Sequence, residues 1–176
     1  MKGKLFFGTQ TGTTEAVAEQ IQKELADLVG ECRNIYGVKK EELEDADFLV
    51  LGGSTWGDGE LTDDFQDSLH ILEAANLSGK TVALFALGDQ YGYGYNFVSA
   101  MKIVYDTVKK CGARVIGSGV SRAGFDFEHS ESLQDDAFLG LVLDEVNQPE
   151  MTEKRIKEWV STVRQELAQA DLTSVG

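Results

Sequence analysis

Leu5-Phe6-Phe7-Gly8-Thr9-Gln10-Thr11-Gly12-Thr13-Thr14-Glu15 is the stretch on which the reading of the fold turns. It passes from a short apolar run, through a Gly- and Thr-rich turn, straight into a helical pattern. Within that pattern Val17, Ile21, Leu25 and Leu28 recur at i, i+4, i+8 and i+11, an apolar stripe that predicts a helix over Thr14–Leu28.

The same strand-to-helix unit repeats along the chain. Phe48-Leu49-Val50-Leu51, ending in Gly52-Gly53, and Val82-Ala83-Leu84-Phe85-Ala86-Leu87 are continuous apolar runs, and helical stripes follow them at Thr62–Ala75 and Phe97–Lys110. A short second strand at Glu31–Tyr36, a brief helix at Lys39–Leu43, strand-like Arg114–Ile116 and Phe138–Leu143, and a helix at Thr152–Leu167 complete the series. Gly117–Ala137 is polar, carries several Gly and has no clear period. Runs apolar on both faces, alternating with helices, predict an α/β fold with a parallel sheet covered on both sides. Ligands in such sheets bind beyond the carboxyl ends of the strands. The places to inspect therefore follow Phe7, Leu51, Leu87 and Leu143.

A length of 176 residues fits one domain spanning 1–176. Sixteen Lys and Arg against thirty Asp and Glu give a net charge of −14, which repels phosphate backbones and anionic lipid. Nucleic acid and membrane surfaces are thus poor partners, and a basic protein is a better one. Cys32 and Cys111 form no CxxC, no secretory leader precedes Gly8, and no apolar run approaches the ~18 residues of a membrane span. A cytoplasmic protein with reduced thiols is expected. His70 and His129 stand without visible partners, and Trp159 lies in a helical apolar stripe, so all three read as structural.

The strand ends carry the chemistry. Thr9, Thr11, Thr13 and Thr14 offer four hydroxyls beside free backbone N–H groups at a helix N-terminus, a seat for phosphate. No Lys or Arg lies in this loop, and neither GxxxxGK(S/T) nor GxGxxG is present, which suits a permanently held monophosphate. The plainer reading is a helix cap by Thr11 or Thr13. After the third strand, Ser54-Thr55-Trp56-Gly57-Asp58-Gly59-Glu60-Leu61 places a Trp in a Gly-rich acidic loop, where it either stacks on a planar ligand or folds back on the domain edge. After the fourth, Gly88-Asp89-Gln90-Tyr91-Gly92-Tyr93-Gly94-Tyr95-Asn96-Phe97 alternates Tyr with Gly. Two aromatic loops flanking a phosphate seat describe a slot for a flat ring with a phosphate tail.

These residues resemble the flavodoxins, specifically the long-chain kind, over about Lys4 to Leu167. The matching motifs are Gly8 to Glu15, Ser54 to Leu61, Leu87-Gly88-Asp89-Gln90 with Tyr93, and Phe138 to Glu145 with Asn147-Gln148 after it. The resemblance implies a doubly wound five-stranded parallel sheet of order 2-1-3-4-5, its last strand split by an insertion at about 117–137, binding FMN without a covalent bond. By position, Thr9, Gln10, Thr11, Gly12, Thr13 and Thr14 would hold the FMN phosphate, and Trp56 and Tyr93 would sandwich the ring. Thr55, Gly57, Asp58, Gly59, Gly88 and Asp89 would line the ring edge, with the Gly57–Asp58 peptide turning its carbonyl toward the flavin on reduction. Many members carry Lys where this chain has Thr13, and some carry a bulkier pair at Gly57-Asp58. Tyr91 and Tyr95 are further candidates for stacking.

The function so implied is a low-potential one-electron carrier, not an enzyme, serving basic redox proteins such as a ferredoxin/flavodoxin-NADP reductase, and a monomer. An FMN-dependent quinone reductase and a phospho-acceptor receiver are the competing classes. No NAD(P)H fingerprint supports the first, and Gly8-Thr9 and Gly52-Gly53 stand where the second needs acids. Residues 41–75 hold eleven acids and no Lys or Arg, and 122–150 hold eight acids against Arg122. They form either a solvated face or a docking surface around the flavin edge.

Overall fold

The computed structural model describes residues 1–175, with side chains described as far as residue 170. Five strands, β1 (Gly3–Phe7), β2 (Val29–Asn34), β3 (Phe48–Ser54), β4 (Thr81–Leu87) and β5 (Arg114–Ile116), form a parallel sheet of order β2-β1-β3-β4-β5. Gly3 to Phe7 pair in register with Phe48 to Gly52, and Phe48 to Ser54 pair with Thr81 to Leu87. All three loops singled out above therefore emerge from one edge of the sheet.

Strand periodicity divides the apolar runs between two cores. Leu5, Phe7, Val50, Ala83 and Phe85 face α1 (Thr13–Glu24) and α5 (Thr152–Val175), where Val17, Ile21, Ile156, Trp159 and Val163 meet them. Phe6, Leu49, Leu51, Val82 and Leu84 face the other side, which holds α2 (Lys40–Glu44), α3 (Asp63–Ala74) and α4 (Ala100–Lys110). The central strands β1, β3 and β4 are buried on both faces, which is why the sequence shows unbroken apolar runs there.

The outer strand comes in two pieces. β5 pairs with Thr81–Ala83, and the chain then leaves for a small antiparallel sheet of β6 (Val120–Ser121), β7 (Leu133–Gln134) and β8 (Ala137–Phe138). It returns as β9 (Leu141–Leu143) beside Phe85–Leu87. The strand expected over Phe138–Leu143 is thus broken at Leu139–Gly140, where a Cβ on Gly140 would lie 2.2 Å from the Leu84 carbonyl oxygen. Only glycine lets the returning chain come so close to β4.

The insertion is anchored by rings. Phe125 and Phe127 sit 5.6 and 5.1 Å from Phe97, and Phe138 closes the cluster at 6.0 Å. Gly94 O accepts from Glu128 N and His129 N at 2.9 Å each, and Asp126 N donates to Gln90 Oε1 at 2.7 Å. Drawing Phe97 into this cluster also delays the fourth helix. A short 3₁₀ turn fills Gly94–Asn96, and α4 begins at Ala100 instead of Phe97.

Trp159 is buried, donating through Nε1 to Gly117 O at 3.0 Å. Burial pushes the half-buried Cys32 thiol up to about 11, and it raises Cys111 as well, so neither is an activated thiol. His129, expected to stand alone, lies 2.9 Å from Glu131 Oε1. No described helix is long and apolar enough to cross a membrane.

Candidate functional site

The first loop is held from behind. Gly8 N donates to Gly52 O at 3.0 Å, and the Asp64 carboxylate, in the first turn of α3, accepts from Thr9 N at 2.7 Å and Asn34 Nδ2 at 2.7 Å. Thr9 Oγ1 in turn accepts from Gly12 N at 3.0 Å. Gly12, at φ +90°, is the residue before α1, and no side chain caps the helix. The Thr11 and Thr13 hydroxyls lie 3.3 Å from each other instead, both exposed, so the plain capping reading fails. First-turn N–H groups and the positive end of the helix dipole are left for an anion. Thr14 is different: it is buried, with Oγ1 2.8 Å from Ser54 Oγ, and ties α1 to the end of β3. Gln10 is exposed.

Beside this loop opens a cavity of about 280 Å³. Trp56 and Tyr93 both line it, as do Thr55, Gly88 and Asp89, and Thr11 and Thr13 reach it from the first loop. An antiparallel bridge to Glu60 fixes the Trp56 backbone, with N–H···O distances of 2.8 and 2.7 Å, and Gly57 and Gly59 make the turn between at φ +51° and +89°. Thr55 Oγ1 accepts from Ala100 N at 3.0 Å, which locks the same loop to α4. Trp56 Nε1 is buried with no hydrogen-bond partner among the described residues, an orphan donor of a kind rare unless a ligand completes it. Of the three tyrosines Tyr93 alone lines the cavity, while Tyr91 and Tyr95 are exposed outside it. Gly57, Asp58 and Gly59 form the loop tip, outside the cavity wall, as do Thr9, Gln10, Gly12 and Thr14 on the phosphate side.

Sequence reasoning missed four wall residues, Ser54, Leu87, Glu145 and Val146, and the group that holds two of the loops together. Asp144, 0% exposed, accepts from Gln90 N at 3.1 Å and Gln90 Nε2 at 2.7 Å on one loop. It also accepts from Val146 N at 3.1 Å, and from Asn147 N and Nδ2 at 2.9 Å each, on the other. Burial works to raise this carboxyl, but the hydrogen bonds from Asn147 and Gln90 outweigh it and hold it below the ordinary carboxylate range. The available signal was the acid pair Asp144-Glu145 directly after an apolar strand. Asp89 and Glu145 give the cavity wall two carboxylates and no Lys or Arg.

The eleven acids of 41–75 are not one free face. Glu42 pairs with Arg33 at 2.9 Å, Asp45 pairs with Lys2, and Asp64 holds the first loop. Asp58, Glu60, Asp63 and Asp67 remain exposed.

The family model for flavodoxin matches residues 5–159. The chain belongs to the flavodoxin family. It is 42% identical over 164 residues to flavodoxin 1 of Escherichia coli, covering 93% of both chains, and 41% identical over 161 residues to a Synechocystis flavodoxin, covering 91% of this chain and 94% of that one. A solved Fusobacterium nucleatum flavodoxin bound to flavin mononucleotide superposes at a TM-score of 0.87 with 32% identity, over 94% of this chain and 98% of that one. The function of this family member is accordingly FMN-dependent electron transfer to redox partners, without a small-molecule substrate of its own. The residues present fit that cofactor: an uncapped helix for its phosphate, an orphan indole N–H and two aromatic walls for its ring.

Proposed function

We propose that the loop from Thr9 to Thr14 holds the FMN phosphate, and that Trp56 and Tyr93 enclose the ring, in one flavin-binding unit made by the whole chain. The observation that carries this reading is continuity: Thr11 and Thr13 belong both to the phosphate loop and to the wall of the ring cavity. Thr9 shapes the loop by accepting from Gly12 N, so Gly12 sets the turn, while Gln10, Thr11 and Thr13 present the donors and Thr14 fixes the helix start. Thr55, Gly57, Asp58, Gly59, Gly88 and Asp89 surround the ring edge, joined by Glu145 and Val146.

Bound FMN supplies the one-electron chemistry. The protein's part is electrostatic and steric. Trp56 and Tyr93 exclude water, and Asp89 and Glu145 disfavour added negative charge. One carboxylate ~10 Å away at an effective dielectric of ~20 contributes about 1.7 kcal/mol, or roughly 70 mV for one electron. This places the reduced carrier at low potential.

Partners meet the rim of this cleft. Tyr91, Tyr95 and Val146 are 65, 74 and 69% exposed on the loops that carry Tyr93 and Glu145, and Asp58 and Glu60 add negative charge on the Trp56 loop. Basic redox proteins, a flavodoxin-NADP reductase among them, suit such a rim, and the carrier works as a cytoplasmic monomer. The decisive experiment titrates the flavin-free protein with FMN and with riboflavin. Tight FMN binding with quenched Trp56 fluorescence, and weaker riboflavin binding, is expected. Equal affinity for the two would remove the phosphate seat from the proposal. Reduction by a basic partner should slow as ionic strength rises.

A further inference from the structure

Val98, in the turn that leads from the fourth-strand loop into α4, has a strained backbone. Asn96 to Ser99 closes as a type II turn, with Phe97 at φ −59° and ψ 118°, Val98 at φ +49°, and Ser99 N donating to Asn96 O at 3.1 Å. The third position of such a turn calls for glycine, because the left-handed region crowds a Cβ, and a β-branched side chain suffers most. Asp135 and Asp136 are also at positive φ, but Asp tolerates it. Val98 has no such excuse and is wholly buried.

The surroundings hold Val98 there from several sides. Its carbonyl accepts from Ser132 Oγ at 2.7 Å and from Met101 N at 3.1 Å, and Phe97 N donates to His129 O at 3.0 Å. Ser132, 0% exposed, comes from the insertion, and its hydroxyl also accepts from Lys102 N at 3.1 Å. Ser99 does not cap α4, since its hydroxyl is taken by Glu131 N at 3.0 Å. Ser132 and Thr55 cap the helix from outside, the latter through Ala100 N. Strain persists only where the surroundings over-determine it, and it gathers at ligand clamps.

Both ring-side loops lean on this turn. A Cβ on Gly88 would lie 2.8 Å from Phe97 Cε1 and 2.9 Å from Val98 Cγ1, so the Val98 side chain backs the cavity wall at Gly88. A Cβ on Gly59 would lie 3.3 Å from Ser99 Cβ, and Thr55 holds Ala100 N, so the Trp56 loop rests on the next two residues. We propose that Val98 is a positioning residue for the flavin ring. Its strained turn, held by Ser132, sets the spacing between the Trp56 loop and the loop from Gly88 to Tyr93. This role rests on the reading of Trp56 and Tyr93 as the ring walls.

The test compares full-length variants, flavin-free and loaded. Val98→Ala and Val98→Gly both lose the contact with Gly88, but only Val98→Gly accepts φ +49° freely. In the flavin-free protein Val98→Gly should therefore have the higher urea midpoint of the two, against the usual order. Both should bind FMN and riboflavin more weakly by one common factor, about fivefold, because the phosphate loop is untouched. The residual fluorescence of bound flavin should rise. Ser132→Ala, outside the cavity wall, should show the same changes to a smaller degree. Val108→Ala, buried further along α4, should lower the urea midpoint and leave both affinities and the fluorescence at parental values. Parental flavin signals in Val98→Gly and Ser132→Ala, unequal losses of FMN and riboflavin, or equal changes in Val108→Ala would each overturn the proposal. So would a urea midpoint of Val98→Gly below that of Val98→Ala. Should the Val98 variants fail to fold, Ser132→Ala against Val108→Ala decides by the same criteria. Bound FMN left unquenched in the parent would instead remove the ring walls themselves.

Discussion

At the phosphate end of the cleft Thr11, Gly12 and Thr13 stand exposed, α1 has no side-chain cap, and one carboxylate, Asp64, steadies the loop from behind. At the ring end the buried Asp144 consumes donors from Gln90, Val146 and Asn147, and the insertion adds Asp126 N on Gln90 Oε1. The first end leaves the N–H groups of the opening turn of α1 uncapped, whereas the Asp144 hub uses the donors of Gln90, Val146 and Asn147 within the protein. The difference matches what each end is proposed to recognise. A phosphate is held by hydrogen bonds, so the protein must leave N–H groups unpaired for it. A flat ring is held by shape, so the walls must be rigid before it arrives.

The sharpest way to break the comparison is Asp144→Ala. It leaves the Gln90 and Asn147 donors without their acceptor, and the loss of charged hydrogen bonds is about 3 kcal/mol at neutral pH. Urea unfolding of the flavin-free protein measures it, and FMN and riboflavin affinities should fall together because the ring walls loosen. The pH dependence has a definite sign. The folded pKa of Asp144 lies below the ordinary value, so its contribution is fully present above the unfolded value of about 4. That contribution is lost as pH falls through the lower folded value, and the curves of variant and parent should converge there.

Gly12→Ala strikes the other end. The added Cβ meets nothing within 4 Å, so its whole cost is the left-handed backbone at φ +90°, about 1–2 kcal/mol. The empty loop relaxes, and FMN must restore it on binding. FMN affinity should fall roughly five- to thirtyfold, while riboflavin affinity stays unchanged. A parallel fall of both would mean that the two ends are not separable.

Gly57→Ala tests the one ring-side loop that Asp144 does not reach. Gly57 sits at φ +51°, and a Cβ there lies 3.4 Å from Glu60 Oε1, so a carbonyl turn at Gly57–Asp58 becomes costlier by about 1 kcal/mol. The first one-electron potential should drop and the second rise, each by about 40 mV. An unchanged separation in a reductive titration would remove the peptide turn from the account.

The sheet was legible because every central strand is buried on both faces, which leaves an unbroken apolar run in the sequence. The small strands were not, since β6, β7 and β8 have two residues each and no period to display. Their packing comes from Phe125 and Phe127 meeting Phe97 across the fold. Within the site, Trp56 was readable because a Trp among glycines has little of its own loop to pack on. Asp144 was one acid among eight in 122–150, and Asp64 one among eleven in 41–75. What distinguishes them is the donors that folding delivers to them from Gln90 and from Thr9, and no local pattern records that.

Thr13→Lys makes the smallest change and examines the uncapped end from the opposite direction. Thr13 is exposed at the first position of α1, where a cation meets the positive end of the helix dipole and costs the helix about 0.3–1 kcal/mol. That cost is borne with or without ligand, so it cancels from the binding equilibrium. The ammonium's attraction for the phosphate does not cancel, and at such exposure it is worth about 0.5–1 kcal/mol, or two- to fivefold in FMN affinity. The gain should be absent for riboflavin. It should also shrink as salt shortens the screening length from about 10 Å at 0.1 M to about 3 Å at 1 M. A gain that persisted at high salt would mean the lysine acts by reshaping the loop, and the parent loop would then not be the ready-made seat that its free N–H groups describe.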